Sequence, residues 1–519
     1  MSRKSTRTVK AIHYTGLDVE EEIVELDTRP AKKRKTNGKR VIGDDDFTNI
    51  SSGEDDITEF EPTKKRGTKG PKPKDKKLKT KKRSLDDSEV DDELAVAGVS
   101  IPHSKSLHNG AKVKPLTGSL LEWFDSVRDT RGMPWRKEYD PSLSEDEKAQ
   151  RAYEVLVSEI MLQQTQVSTV IRYYNAWLER FPTIKDLADV TDIEEVNALW
   201  KGLGYYRRAK ALLEASKKVV KDFDGRIPKD VAVMEKEVPG VGRYTAGAVC
   251  SIAYGVKAPA VDGNVQRLFS RLLAIHAQPK KAALDLIWNA ASKLVETTDR
   301  PGDLNQALIE LGSTICKPQN PACGNCPLKD GCAAYRLANE KAADTVPDIE
   351  DMCNVCEPFP DDGKAVTRFP MKVIKKAQRR EASVVTVLQV EFAGEEWLLM
   401  SQRPAKGLLA GLWEFPTTDL PEEEPGLPER LKATRTVVKK ALPQMVSKDI
   451  LPVVVGDFLH LFSHIRKTYF VVLVTISLDL LPSANDGSKW VKPDDVGSMN
   501  VGKSSEKVWT MISNHLSSI

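Results

Sequence analysis

Nowhere in the 519 residues do eighteen apolar residues run together, and no apolar signal core stands at the front. A membrane span and a secretory leader are therefore both unexpected, and an intracellular protein is the expectation. Cysteine is scarce over most of the chain: of seven, six fall between Cys316 and Cys356 and the other is Cys250. In a reducing compartment that clustering argues against a disulfide framework and for metal. Aromatic residues are sparse from 1 to about 115, where Lys, Asp, Ser and Thr dominate and no apolar period is sustained. Such a segment buries too little surface to offset the entropy of ordering, so a disordered tail is expected over 1–115.

Net charge is only +3, but it is laid down in blocks. Pro62 to Arg83 carries twelve Lys or Arg and one acid, Asp75, and Lys32-Lys33-Arg34-Lys35 forms a second cluster. Blocks of this kind bind polyanions or import receptors, or stay a solvated tail. Nuclear import is the favoured reading. Arg3, Lys4, Arg7 and Lys10, ahead of the first acid Asp18, are compatible with a mitochondrial form as well.

The length calls for more than one core, and the remaining pattern divides accordingly. From about 116 to 337 it is helical and repeatedly punctuated. Val167, Val170, Ile171, Tyr174, Trp177, Leu178 and Phe181 share one face at helical spacing, ended by Pro182. Further helices fit Asp192 to Trp200, Tyr206 to Phe223, Val231 to Val238, Tyr244 to Tyr254, Asn264 to Leu273, Leu284 to Glu296 and Leu304 to Ile315. A connector rich in Asp, Glu and Pro follows over 338–378. Over 379–519, β-branched runs at Val384 to Phe392, Trp397 to Gln402, Pro452 to Phe458 and Lys467 to Leu478 alternate with helices near Leu427 to Ala441 and Ser505 to Leu516. The expected architecture is multidomain: an all-α domain, then a small α+β domain.

Within the helical part, VPGVGRYTAGAV (Val238 to Val249) places Gly240 and Gly242 in a tight turn between two helices. Their amides are free to meet a phosphate at the second helix's N-terminus. The same turn also fits a plain helix–turn–helix corner. Downstream, Cys316-x6-Cys323-x2-Cys326-x5-Cys332 offers four thiolates in one loop, suited to zinc or to a [4Fe–4S] cluster. Spacing alone does not separate the two.

VPGVGRYTAG, the VDGNV around Asp262 and this cysteine spacing together resemble the helix-hairpin-helix DNA glycosylases that carry a [4Fe–4S] cluster. SEIMLQQTQV (Ser158 to Val167), WKGLGYYRRA (Trp200 to Ala209) and GMPWR (Gly132 to Arg136) resemble the MutY family of adenine DNA glycosylases. That resemblance implies Cys316, Cys323, Cys326 and Cys332 as cluster ligands. It also implies excision of adenine mispaired with 8-oxoguanine, or with guanine, in double-stranded DNA. Cleaving a purine glycosidic bond needs a proton for the leaving base and an anion near the developing oxocarbenium charge, which two carboxylates in unlike environments supply. Glu159, among apolar Val157, Ile160, Met161 and Leu162, would stay protonated through burial and donate to adenine N7. Asp262 precedes a helix and equally fits an N-cap; the resemblance implies the oxocarbenium role.

Tyr244 stands where bifunctional relatives carry a lysine, and a phenol forms no Schiff base. A monofunctional enzyme is thereby implied, with Tyr244 hydrogen-bonded to Asp262 or to a catalytic water and with Asn264 assisting. The base must be flipped out of the stack. By the resemblance Gln164 and Tyr205 wedge into the gap, Gln163 lies beside them on the DNA, and Arg131, Trp135, Arg136, Leu162 and Gln306 line the adenine pocket. From the residues alone, Trp135 and Tyr205 also fit core aromatics.

HLFSHIRKTY (His460 to Tyr469) and GLLAGLWEFP (Gly407 to Pro416) resemble the family's C-terminal Nudix-like domain. No Gly-x5-Glu-x7-Arg-Glu-x2-Glu-Glu pattern occurs over 417–445, so nucleotide hydrolysis is not expected. The resemblance implies lesion recognition by His460, Phe462, Ser463 and His464; a turn between strands with Phe462 in the core is the plainer alternative. Some animal relatives bind zinc through connector cysteines. Here only Cys353 and Cys356 are present, and Ser270 replaces a catalytic-domain cysteine. A complete site of that type is not expected; the pair either binds zinc with other ligands or stays as exposed thiols. The resemblance to eukaryotic relatives implies that the acidic run Asp348 to Asp351 and the connector dock a repair or checkpoint clamp; no sliding-clamp motif is found at the C-terminus, and a monomer is expected. An endonuclease III-like lyase and a non-catalytic damage-binding scaffold are the alternative readings.

Overall fold

The structure, a computed structural model, describes residues 103–339, 348–357, 366–373, 377–404, 407–445, 450–462 and 464–518. The basic blocks, the segment 1–102 and Ser463 lie outside the described residues.

Twelve helices build the first part: α1 (Thr117–Val127), α2 (Glu145–Leu162), α3 (Val167–Arg180), α4 (Ile184–Ala188), α5 (Ile193–Trp200), α6 (Arg207–Phe223), α7 (Val231–Glu237), α8 (Arg243–Tyr254), α9 (Gly263–Leu272), α10 (Lys281–Val295), α11 (Pro301–Thr314) and α12 (Ala333–Asn339). A reciprocal capping box between Ser144 and Glu147 starts α2. From Arg151 to Met161 every residue of α2 is buried, which makes it the central helix, packed on α8 and α3. Val170, Tyr174, Trp177 and Phe181 line the buried side of α3 as their spacing requires. Two apolar cores result, one around α2, α3, α6 and α8 and one joining α1, α9, α10 and α11.

The expectation of disorder up to 115 is corrected from residue 103 onward. Two 3-10 turns, Lys105–His108 and Gly110–Leu116, precede α1, and His108 and Val113 are buried. Gly110 lies so close to α10 that a Cβ there would stand 2.8 Å from Ala290 Cα. The segment contributes few apolar groups of its own and is ordered by a surface that later helices supply.

The second part is a seven-stranded mixed sheet with helices on both faces. Strands β1 (Arg379–Phe392), β2 (Glu395–Gln402), β3 (Trp413–Glu414), β4 (Thr417–Leu420), β5 (Val453–Leu461), β6 (Ile465–Ser477) and β7 (Ser488–Val491) take the order β3-β2-β1-β6-β5, with β4 on β1 and β7 on β2. The pair β1–β6 is parallel, Val385 facing Val471; the others are antiparallel. Leu388, Val390, Val474 and Ile476 pack on Val438 and Leu442 of α13 (Leu427–Ala441) and just after it. Their alternates Val385, Val387, Val471 and Leu473 pack on Val508 and Ile512 of α14 (Lys503–Leu516). Burial on both faces is why β1 and β6 read as nearly continuous apolar runs. The two parts meet where Lys201 Nζ donates to Gly497 O (2.6 Å) and Asn500 Nδ2 donates to Glu194 O (3.3 Å).

Candidate active site

Glu159 sits on α2, 8% exposed, and its Oε2 accepts a 2.6 Å hydrogen bond from Tyr244 Oη on α8. Burial pushes its carboxyl up to about 7; the Tyr244 bond pulls the other way, the Asp262 charge adds to the rise and Arg136 opposes it. At neutral pH Glu159 is therefore poised to give up a proton. The phenol is held well above its ordinary value, first by burial and then by the Glu159 charge, so it remains a donor. The expected Tyr244–Asp262 hydrogen bond is replaced by this one: the first turn of α8 faces α2. Tyr244→Phe removes a bond that favours the carboxylate, so the alkaline limb of the rate profile is expected to move upward by up to about one pH unit. An unmoved limb in single-turnover profiles would separate Tyr244 from proton control.

Asp262 fits the capping reading directly. As the N-cap of α9 its Oδ1 accepts from Val265 N (2.7 Å), while Oδ2 accepts from Asn264 Nδ2 (2.8 Å). Burial raises its carboxyl, and the Val265 and Asn264 donors hold that rise down. Asn264 in turn accepts from Arg267 Nη2 (2.8 Å), which also donates to Gly312 O (2.6 Å), and Arg267 Nε reaches Cys316 O (2.9 Å). Gly312 permits this: a Cβ there would lie 2.9 Å from Asn264 O. A continuous chain thus runs from the carboxylate to the cysteine loop.

Around the pair, Arg136 Nη2 and Arg131 Nη1 share Glu310 Oε2 at 2.6 and 3.1 Å. Burial lowers the Arg136 guanidinium and Glu310 offsets it. Trp135 lies in the core, edge-on to Tyr174 at 5.2 Å, and buried Gln306 donates to Gly302 O (3.3 Å) within its own helix. Leu162 ends α2 and Gln163 caps it, exposed. Gln164 (φ 56°) and Tyr205 (φ 49°) both adopt the left-handed backbone that such residues rarely take, and both project into solvent.

Arg208, which the sequence shows only as one of several bases on α6, joins these two loops. Its Nη1 donates to Ile160 O (3.0 Å), Met161 O (3.0 Å) and Gln163 O (2.5 Å), and its Nη2 to Gly204 O (3.1 Å). Its guanidinium stands 5.4 Å from the Tyr205 ring centroid. Arg208→Ala would strand several buried carbonyls and is expected to cost about 3–4 kcal/mol in chemical unfolding. Arg208→Lys is expected to restore only part of this, since one ammonium does not match a fork of carbonyls.

In the hairpin between α7 and α8, Gly240 takes φ +75° with Ala211 Cβ 2.7 Å from where its own Cβ would be, so only glycine fits. Gly242 is the N-cap of α8, whose first amides have no side-chain partner there and are left for an external acceptor.

Cys316, Cys323, Cys326 and Cys332, none of them in a disulfide, line one cavity under α9 together with Arg271. Burial pushes the Cys326 thiol up to about 12 and the Cys332 thiol up to about 11. Arg271 Nη1 lies 3.3 Å from Cys316 Sγ and supplies positive charge to that side. The donor set fits an iron–sulfur cluster.

In the second part, the His460 ring near the end of β5 lies tilted against Phe462 with centroids 4.5 Å apart, and the Phe462 amide closes the β5–β6 turn onto Ile465 O (2.9 Å). Phe462 is half-buried against the α14 core, and His464 is exposed with its carbonyl accepting from Arg379 N (3.1 Å). Burial lowers the His460 imidazole, and Lys507 and Lys503 lower it further, so it is neutral at pH 7.

Three family models match the chain: the HhH-GPD superfamily base excision DNA repair proteins over 157–292, the iron-sulfur binding domain of endonuclease III over 316–332, and the NUDIX domain over 386–511. The middle match settles zinc against iron for the four-cysteine loop: it carries a [4Fe–4S] cluster. The adenine DNA glycosylase of Mus musculus is 38% identical over 444 residues, covering 82% of each chain. That of Schizosaccharomyces pombe is 40% identical over 419 residues, covering 76% of this chain and 89% of its own. The Homo sapiens enzyme is 37% identical over 80% of this chain and 77% of its own. With a helix-hairpin-helix domain, an iron–sulfur loop and a Nudix-like domain in that order, the chain belongs to the adenine DNA glycosylases.

Proposed function

We propose that this DNA glycosylase removes adenine lying opposite 8-oxoguanine, or opposite guanine, and leaves an abasic site without cutting the strand. The observation that carries it is the Glu159–Tyr244–Asp262–Asn264 constellation, a buried carboxyl raised toward neutral pH and a capped carboxylate, with no amine among the four. Glu159 gives its proton to adenine N7; the C1′–N9 bond breaks with its electron pair leaving on the base. Asp262 stabilises the positive sugar, and water then adds to C1′ and gives its proton back to the Glu159 carboxylate. The [4Fe–4S] cluster supplies an anchor of iron–thiolate bonds for the loop that Arg267 ties to Asn264. Gln164 and Tyr205 occupy the gap left by the flipped base, held by Arg208.

Borohydride trapping tests the monofunctional claim: little covalent complex is expected, whereas efficient trapping would indicate an endonuclease III-like lyase. Neutral, aromatic-backed His460 with Phe462, Ser463 and His464 is proposed to read 8-oxoguanine. His460→Ala or Ser463→Ala is expected to reduce the preference for 8-oxoguanine over guanine roughly tenfold. An unchanged ratio would remove the second domain from lesion reading.

The connector is proposed to dock a repair or checkpoint clamp. Ile349 is 87% exposed on a short turn with Glu350 and Asp351, and Lys105 holds that turn through Glu350 O at 2.9 Å. The basic blocks favour a nuclear protein, with a mitochondrial form also open to them, and a monomer suffices for the site as built.

A further inference from the structure

We propose that helix α5 couples the second domain to Tyr205, so that the reader of one base and the residue that fills the opposite gap are held at one fixed spacing. The inference deepens the function proposed above and rests on its assignments of Tyr205 and His460. Helix α5 is only eight residues long, about 12 Å, and the second domain touches both of its ends. At the first turn Asn500 Nδ2 donates to Glu194 O (3.3 Å) and to the Glu194 carboxylate. At the last, Lys201 Nζ donates to Gly497 O (2.6 Å). Leu409 and Leu412 reach from the second domain into the same apolar core that holds Val196 and Trp200 of α5. Leu412 is 1% exposed there, so the contact is packed like a domain interior.

Tyr205 hangs from the C-terminal end of this helix. Trp200 Nε1 donates to Gly204 O (2.9 Å), Leu203 N donates to Trp200 O (3.0 Å), and Tyr173 Oη donates to Lys201 O (2.8 Å). Gly202, Gly204 and Tyr205 take φ of +90°, +79° and +49°, a run that the surroundings must impose because a tyrosine does not adopt it freely. With the loop tied this closely to Trp200 and Lys201, a displacement of α5 carries the Tyr205 ring with it.

The other end of the path is the reading loop. Gly497 and Asn500 lie in the turn that feeds α14, and Asn500 O accepts from Trp413 N (3.0 Å), which fixes the turn to β3. Val508 and Ile512 of α14 pack with Phe458 and Phe462, and the Lys507 ammonium stands 5.5 Å from the Phe458 ring centroid. On β5 a Cβ at Gly456 would stand 3.0 Å from Met511 Cε. Helix α14 thus carries the His460–Phe462 turn on one side and, through the turn before it, the grip on α5. Seating 8-oxoguanine against His460 and Phe462 therefore fixes where Tyr205 enters the stack, and the discrimination made on one strand reaches the base released from the other.

The test uses the full-length, iron-replete protein with Lys201→Met and Asn500→Leu combined, which removes both donors and keeps their bulk. Amide hydrogen exchange over 201–208 is expected to speed up about tenfold while α2 stays protected. The ratio of single-turnover rates for adenine opposite 8-oxoguanine and opposite guanine should fall about fivefold, mainly through the 8-oxoguanine rate. Lys201→Arg alone keeps a donor for Gly497 O and should keep both values parental. Added to the double variant, His460→Ala should lower the ratio only about twofold further, because it acts through the same path. Unchanged exchange over 201–208 would overturn the coupling, and so would an equal loss of both rates, which a merely structural contact would give. The same tenfold loss from His460→Ala in both backgrounds would overturn the coupling and leave the lesion reader standing. A parental ratio indifferent to His460→Ala would remove the reader, and this path with it.

Discussion

Replacing Glu159 by glutamine is expected to lower the single-turnover rate of adenine release by about 10²–10⁴-fold while leaving the fold intact. The amide keeps the volume of the buried carboxyl and still accepts from Tyr244 Oη, so packing between α2 and α8 is preserved. It has no acidic proton to give. In the parent protein the same group titrates near pH 7 because burial disfavours its charge. A raised carboxyl is active in its protonated form, so the rate should be sustained below that value and fall as pH rises through it. The variant should show a low rate without that limb. Near-parental release by Glu159→Gln would take the acid's role from this residue.

Asp262→Asn separates two functions that one residue carries. Asparagine caps a helix about as well as aspartate does, so thermal unfolding should shift little. The negative charge beside the sugar is gone, and the rate is expected to fall by about 10²–10³-fold. Asp262→Ala should lose both, with an added stability cost of about 1 kcal/mol from the missing bond to Val265 N. If Asp262→Asn kept its rate while Asp262→Ala lost it, capping alone would account for the residue.

Local pattern made most of the helices legible. Strong apolar periods and stops placed α3, α6, α8 and α13 to within about two residues, and the β-branched runs marked β1, β2, β5 and β6. The short strands β3, β4 and β7 went unread because two to four residues carry no period. At the site, Glu159 could be singled out by the apolar residues around it, whereas Asp262 fitted a plain N-cap equally well and only the resemblance implied more. The partner of Tyr244 could not be singled out, since Glu159 is 85 residues away and only the packing of α8 on α2 brings it near. Arg208 and Glu310 had the look of ordinary helix charges; burial, which local sequence does not report for them, makes them organisers.

The histidines beside the connector cysteines were hidden for another reason. Ring nitrogens of His103 and His108 and the sulfurs of Cys353 and Cys356 lie within 4.8 Å of one another. Both histidines fall within a stretch whose average composition reads as disordered, although its last residues are seated on α10 and beside the connector. Counting cysteines alone left the pair without these neighbours.

Base release measured in single turnover on three duplexes, adenine opposite 8-oxoguanine, adenine opposite guanine, and thymine glycol opposite adenine, bears most directly on the central claim. Fast release of adenine opposite 8-oxoguanine, slower release opposite guanine, and an intact thymine glycol strand are expected. Excision of thymine glycol with strand cleavage, or no release from any duplex by iron-replete protein, would contradict it.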